Sequence, residues 1–245
     1  MNEINNTHKI NNIPKIIHQI WLGPNKKPNI WMDSWKKNYI NSYPEWKYFL
    51  WTEKEINKIK LKNRSQYEYE KYYTGKSDIA RYEILNQFGG VFIDADSLWI
   101  EKNNFSLNII LEKSKGSNMF CAEEPINKWS IANGVIGFSK NHKILNEIIE
   151  YLNKNYFETK KNNPEEKRVW KVTGPKIFTE IVKKYNDSLI LESFYFYPEN
   201  FHVNNLELDK EEFHKKYPKS IMFQYGYSTN NVANKNIMKK YIDKN

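Results

Sequence analysis

The chain has a single cysteine, Cys121, so no intrachain disulfide can staple it. Cys121 lies in the apolar run from Met119 to Ala122 and reads as a small buried hydrophobe. Glycine and proline number nine each among 245 residues, and neither a Gly/Ser-rich or Pro-rich linker nor an internal repeat divides the chain. This argues for one domain over residues 1–245, with 1–12 as a flexible lead. No apolar stretch approaches the roughly 18 to 20 residues that cross a bilayer, and the polar start MNEINNTHKINN is not a signal peptide. A soluble, cytoplasmic chain is the expectation. Histidines are few: His142, His202 and His214 lack metal-ligand spacing, and His18, inside an apolar run, reads as structural.

Acidic residues are also in the minority. Lysine and arginine number 38 against 29 aspartates and glutamates, a formal net charge of +9, which favours anionic partners such as nucleoside diphosphates, anionic glycans, nucleic acid or a lipid surface. The lysines are scattered, as at Lys26, Lys27, Lys36, Lys37, Lys239 and Lys240, and form no continuous block. Nucleic acid is therefore not expected as a partner, and any membrane contact is expected to be peripheral.

Hydrophobic patterning predicts alternating elements. Strands are expected at Lys15 to Trp21, Trp46 to Trp51, Asn118 to Glu123 and Gly134 to Ser139. Helices are expected at Ile30 to Asn41, at Thr52 to Leu61 with Thr52 as cap, and at His142 to Asn155. Thr173, Gly174 and Pro175 open a further helix through Lys184, with proline where its missing N–H costs nothing. Strands alternating with helices specify an α/β core with a mainly parallel sheet, whose sites lie at the carboxyl ends of strands.

The densest signal is Lys76 to Trp99, KSDIARYEILNQFGGVFIDADSLW. Ile79, Tyr82, Leu85 and Phe88 recur at helical spacing, with Ser77 or Asp78 placed to cap the first turn and Gly89 to end the helix. Val91 to Ile93 is a short buried strand running into Asp94 and Asp96, which project to one side if the extended geometry persists. Two carboxylates on one side suit a hard cation, Mg²⁺ or Mn²⁺. Taken alone, such a pair also fits two solvated aspartates ending a strand. Asp78 and Arg81, three apart, share a helix face, either as a surface ion pair or as part of a site.

The run S-D-I-x-R-Y-x-I-L-x-x-x-G-G-V-F-I-D-A-D resembles the signature of the DXD-containing glycosyltransferases related to yeast initiating mannosyltransferases and to the catalytic domains of clostridial glucosylating toxins. IPKIIHQIWLG, from Ile13 to Gly23, is similar to that family's opening strand, and NGVIGFSKNHKIL, from Asn133 to Leu145, to its Asn-containing segment and following helix. The resemblance implies a GT-A-like single domain: a Rossmann-like, mainly parallel sheet flanked by helices. It also implies retaining transfer of a sugar from a nucleoside diphosphate donor, with Mn²⁺ or Mg²⁺, to a saccharide acceptor in a glycan, polysaccharide or glycoprotein. Trp21 matches the tryptophan that stacks on uracil, which favours a UDP-sugar over a GDP-sugar. Asp96 and Asp94 match the metal-binding pair, and Asp78 and Arg81 match residues holding the sugar hydroxyls. Ser77 and Ala95 join the donor contacts, and Asn133 places an amide near the reacting carbon.

Two departures stand out. Where many members complete the metal shell with a late His or a Glu/Ser pair followed by tryptophan, this chain reads MFQYGYSTN and has no tryptophan after Trp170. Gln224, Tyr227 and Ser228 occupy that neighbourhood, with Ser228 as the candidate metal or phosphate contact. Phe92 stands where the toxin relatives carry a tyrosine. Glu123 and Glu124, after a strand, are left without a role. Two rivals stay open: a metal-dependent nuclease or phosphotransferase, which needs clustered carboxylates and a continuous basic groove, and an inactive sugar-nucleotide-binding module.

Overall fold

The structure, a computed structural model, describes residues 12–100, 105–125, 129–165, 168–198 and 215–224. In chain order it runs β1 (Ile16–Ile20), α1 (Asn29–Asp33), a π-helical turn at Ser34–Tyr39, α2 (Ile40–Ser42), β2 (Lys47–Trp51), α3 (Glu53–Ile56), α4 (Arg64–Tyr69) and α5 (Tyr73–Phe88). It continues through β3 (Gly90–Ile93), β4 (Ser97–Trp99), α6 (Leu107–Lys113), β5 (Met119–Glu123), β6 (Ile131–Phe138) and α7 (Lys143–Asn162). Last come α8 (Val169–Val172), α9 (Pro175–Val182), β7 (Leu189–Leu191) and β8 (Met222–Gln224).

Six strands form the central sheet in the order β2-β1-β3-β6-β5-β7, and β4 pairs with β8 in a separate two-stranded ribbon. β1 is parallel to β2 and β3, and β5 to β7, whereas β6 is antiparallel to both of its neighbours. β6 alone is reversed, so its amino end lies beside the carboxyl ends of the rest.

Side-chain alternation along the strands sorts the core into two layers. Met119 and Cys121 of β5, with Ile136 and Phe138 of β6, face a cluster built on α5, α7 and α9. Phe120 and Ala122 face the other way, joining Trp35, Tyr39, Trp46, Trp99, Leu107 and Ile110. Among the described residues, no helix is long and apolar enough to cross a membrane.

Several boundaries differ from those the sequence suggests. Neither Ser77 nor Asp78 caps α5, which begins at Tyr73 and holds both inside. Its N-cap residue is Tyr72, whose N–H donates to the Glu70 carboxylate at 3.0 Å, and Glu70 is itself held by Lys160 and Tyr156, each at 2.9 Å. The helix after Thr52 has its capping box but lasts only from Glu53 to Ile56. α7, in contrast, runs on to Asn162. β6 begins at Ile131 rather than Gly134, so Asn133 lies within the strand.

α5 ends at Gly89, whose φ of +64° is the left-handed region that favours glycine. The freed carbonyl of Gly89 meets His18 Nε2 at 2.8 Å, while His18 Nδ1 accepts from Trp51 Nε1 at 3.0 Å. His18 is buried and neutral, its pKa lowered to about 4 by burial against the opposing pull of the Gly89 carbonyl. Unfolded, this histidine titrates near 6.5, so its contribution to stability is whole above that pH and disappears as pH falls toward 4. The stability gap between wild type and His18→Gln, measured by urea unfolding, is expected to shrink by about 3 kcal/mol between pH 7.5 and pH 4.

Candidate active site

Ile93, the last residue of β3, hands the chain to a turn rather than to more strand, so Asp94 and Asp96 are not set side by side by extended geometry. The turn is pinned from three directions. Asp94 N–H donates to the Gly134 carbonyl of β6 at 2.8 Å. The Asp94 carbonyl accepts from Ser97 Oγ at 2.6 Å and from Gln19 Nε2 of β1 at 3.2 Å. Trp35, from the π-helical turn, donates its indole N–H to Ser97 O at 3.2 Å and Ser97 Oγ at 3.1 Å. Ala95, between the two acids, is buried.

α5 brings Arg81 to this turn. Its guanidinium donates to the Asn133 carbonyl at 2.6 Å and lies 3.2 Å from both Asp78 Oδ1 and Asp94 Oδ1. Ser77 Oγ accepts a longer bond from it at 3.4 Å. The Phe92 ring lies beneath the guanidinium, 4.2 Å from centroid to Cζ, and supplies a cation–π floor. The Asp78–Arg81 pair is thus no surface ion pair: the two residues are 6% and 5% exposed.

Asn133 closes the arrangement. Its side-chain amide donates to Asp78 Oδ1 and to Tyr82 Oη, each at 2.9 Å. Tyr82 donates in turn to the Thr173 carbonyl at 3.1 Å, and Thr173 Oγ1 donates to Asp78 Oδ2 at 2.9 Å. Four residues from α5, β6 and the α8–α9 corner form a closed ring of hydrogen bonds, Thr173 joining it through both its hydroxyl and its carbonyl. Sequence patterning does not single out Tyr82 and Thr173 as site residues, although Tyr82 is part of the S-D-I-x-R-Y run.

Electrostatics follow from this burial. Burial pushes Asp78 above the ordinary carboxylate range, opposed by Arg81, Thr173 and Asn133. Asp94 is pushed up to about 6 by burial, with Arg81 opposing and the Asp96 charge adding. Arg81 is disfavoured by burial, but Asp94 and then Asp78 hold its guanidinium firmly charged. Asp94 keeps a 30% exposed side chain, so the cluster meets solvent at this carboxylate. A Cβ on Gly134 would stand 2.4 Å from Asp94 Oδ2, so only glycine leaves this oxygen room.

Asp96 Oδ1 accepts from Gln224 Nε2 of β8 at 2.5 Å. The carbonyl oxygen of the same amide is buried without a hydrogen-bond partner among the described residues. The two carboxylates and the orphaned amide oxygen are hard donors of the kind that Mg²⁺ or Mn²⁺ takes. No group of three or more His, Cys, Asp or Glu residues suited to a metal occurs among the described residues. Ser228 and Tyr227 lie outside the described residues. Trp21 is half-buried at the end of β1, its indole N–H bonded to the Asn25 carbonyl at 2.9 Å. Glu124, half-buried past the end of β5, has its carboxyl raised by burial.

Fold and site together define an α/β protein with a braced polar cluster at the carboxyl ends of its strands, the place where open α/β sheets bind ligands. Residues 28–115 match the family model described as a glycosyltransferase sugar-binding region containing the DXD motif. A glycosyltransferase of Acanthamoeba polyphaga mimivirus is 30% identical over 205 residues, covering 78% of this chain and 75% of that protein. Inositol phosphoceramide mannosyltransferase 3 of Schizosaccharomyces pombe is 29% identical over 144 residues, 57% of this chain but 37% of the yeast protein. Among solved structures, the PaToxG glycosyltransferase is similar with a TM-score of 0.50 and 20% identity, over 71% of this chain and 70% of that one. A glycosyltransferase involved in glycosylation of the PBCV-1 major capsid gives 0.52 and 12% identity, over 91% and 98%. At these identities the structural likeness concerns the fold. The chain belongs to the DXD-motif glycosyltransferases.

Removing one partner from a buried charge cluster costs far more than removing a surface charge, on the order of 3–5 kcal/mol. Arg81→Met is therefore expected to lose stability on that scale at pH 8. The deficit in urea unfolding should be smaller at pH 5, where the abandoned carboxylates take up protons.

Proposed function

We propose that the protein transfers a hexose from a nucleoside diphosphate sugar to a saccharide acceptor, with retention at the anomeric carbon and with Mn²⁺ or Mg²⁺ bound. The observation that carries this reading is the Asp94–Asp96 turn, braced by Arg81 and facing Asn133 at the carboxyl end of the sheet. Family membership supports sugar transfer as the chemistry.

Asp94 and Asp96 would hold the cation, with the Gln224 amide oxygen as a further donor and Ser228 as a candidate beyond the described residues. When bound, the cation offsets charge on the departing diphosphate. It would also relieve the strain of two carboxylates set close enough that one raises the proton affinity of the other. Arg81 is the fixed cation of the pocket, and Asp78 accepts a donor-sugar hydroxyl. Asn133, whose amide protons are both engaged with Asp78 and Tyr82, acts by holding Asp78 rather than by reaching the sugar directly.

The half-buried indole of Trp21 offers a surface for the base, and uracil is the favoured one. Ser77 and Ala95 line the donor's path along α5 and the acid turn. The yeast relatives are named for mannosyl transfer to inositol phosphoceramide, which makes mannose a candidate sugar. In the transfer itself the bond between the anomeric carbon and the phosphate oxygen breaks, and one to the acceptor oxygen forms on the same face. The acceptor's proton passes to the departing phosphate. No protein general base is needed, and Glu123 and Glu124 are given no role in that step.

The deciding experiment follows thermal stabilisation and nucleotide release with UDP-glucose, UDP-N-acetylglucosamine and GDP-mannose, each with Mn²⁺ and with chelator. Mn²⁺-dependent release from one of them supports the reading, and silence across the panel from a folded protein overturns it. Asp96→Ala is expected to abolish the Mn²⁺-dependent release. Mn²⁺ affinity, measured by titration calorimetry, should fall as pH is lowered through about 6, because Asp94 must lose its proton to coordinate. Trp21→Ala should weaken nucleotide binding by about 1 kcal/mol or more, read as a roughly fivefold rise in Kd.

A further inference from the structure

Asp78 is an unusual carboxylate for a ligand contact, because almost all of its hydrogen-bonding capacity is spent inside the protein. Oδ1 takes Asn133 at 2.9 Å and faces Arg81 at 3.2 Å, while Oδ2 takes Thr173 Oγ1 at 2.9 Å. A carboxylate oxygen accepts about two hydrogen bonds, so Oδ2 has one acceptor direction remaining. Which way that direction points is decided by the group holding the other.

That group is the Thr173 hydroxyl. Thr173 is fully buried at the corner between α8 and α9, with its N–H bonded back to the Val169 carbonyl at 3.0 Å. Its own carbonyl accepts from Tyr82 Oη, whose phenol burial keeps protonated and therefore able to donate. The next residue, Gly174, leaves no slack. A Cβ there would stand 3.2 Å from Asp78 Oδ2 and 2.9 Å from the Trp170 Cα. Pro175 then starts α9 with a fixed φ. Threonine, glycine and proline thus press one hydroxyl onto one carboxylate oxygen from an element nearly a hundred residues further along the chain.

We propose that Thr173 is a positioning residue for the donor sugar: its hydroxyl fixes Asp78 so that the remaining acceptor direction on Oδ2 meets a single sugar hydroxyl. The proposal rests on the reading that Asp78 contacts the donor sugar. Thr173 itself touches no substrate. Its effect should be felt by the sugar moiety and not by the nucleotide.

The test compares Thr173→Val, Thr173→Ser, Gly174→Ala and Asp78→Asn, with kcat and KM for Mn²⁺-dependent hydrolysis of whichever panel donor the wild type cleaves. Kd values for UDP and GDP with Mn²⁺ are measured alongside. Thr173→Val and Gly174→Ala are expected to lose about tenfold or more in kcat/KM, the usual effect of losing a hydrogen bond to a charged group. Their nucleotide Kd should stay within about twofold of wild type, and Thr173→Ser should recover most of the loss. An equal loss of nucleotide affinity in Thr173→Val would make the residue merely structural and overturn the proposal. Unchanged hydrolysis in Thr173→Val, with Asp78→Asn impaired, would overturn the positioning role while leaving the Asp78 reading intact. Unchanged hydrolysis in Asp78→Asn would remove the reading on which the proposal stands.

Discussion

One guanidinium holds this site in place. Arg81 reaches from the buried face of α5 to two carboxylates and a main-chain carbonyl, and each of these belongs to a different element. An arginine so placed cannot shed its proton, so it makes the burial of Asp78 tolerable and sets the potential at Asp94. The geometry suits a planar fork on a stiff support, with the Phe92 ring beneath it. A lysine, with a single mobile charge, would not reproduce the three contacts together.

Around that cation the acids differ by position. Asp78 is enclosed and hydrogen-bonded on both oxygens, while Asp94 stands at the mouth with a glycine cleared beside it. Asp96, across the turn, is tied to a strand from the far end of the chain. Three acidic groups within one pocket therefore meet three environments, which is how residues of one type come to serve separate roles.

Much of this is legible in the primary structure, for a physical reason. The strands β1, β2, β3 and β5 and the glycine that ends α5 announce themselves locally, through β-branched runs and a left-handed stop. The mainly parallel sheet follows from their alternation with helices. The features that escape a sequence reading are decided at long range. The β4–β8 ribbon joins Ser97 to Gln224, and no local pattern marks either partner. α5 starts at Tyr73, upstream of Ser77 and Asp78, beside a Glu70 that Lys160 and Tyr156 of α7 hold from far along the chain. Tyr82 looks like one more apolar position on a helical stripe, and Thr173 like the first residue of a helix opening. Their hydroxyls acquire meaning only when α5, β6 and the α8–α9 corner converge.

The π-helical turn at Ser34–Tyr39 carries a consequence of its own. A π-turn holds one residue more than an α-turn closing the same length of axis, and that surplus rotates the α1 side of the helix against the α2 side. Here it lets Ser34 receive the Trp99 N–H at 2.9 Å while its neighbour Trp35 reaches Ser97. Two adjacent residues grip the same short segment behind the acid turn. Deleting any one residue from this stretch would restore an ordinary α-helix and swing one of the two grips away by about 100°. The acid turn is thus keyed to the π-helical stretch of a helix some sixty residues upstream, through Ser34 and Trp35.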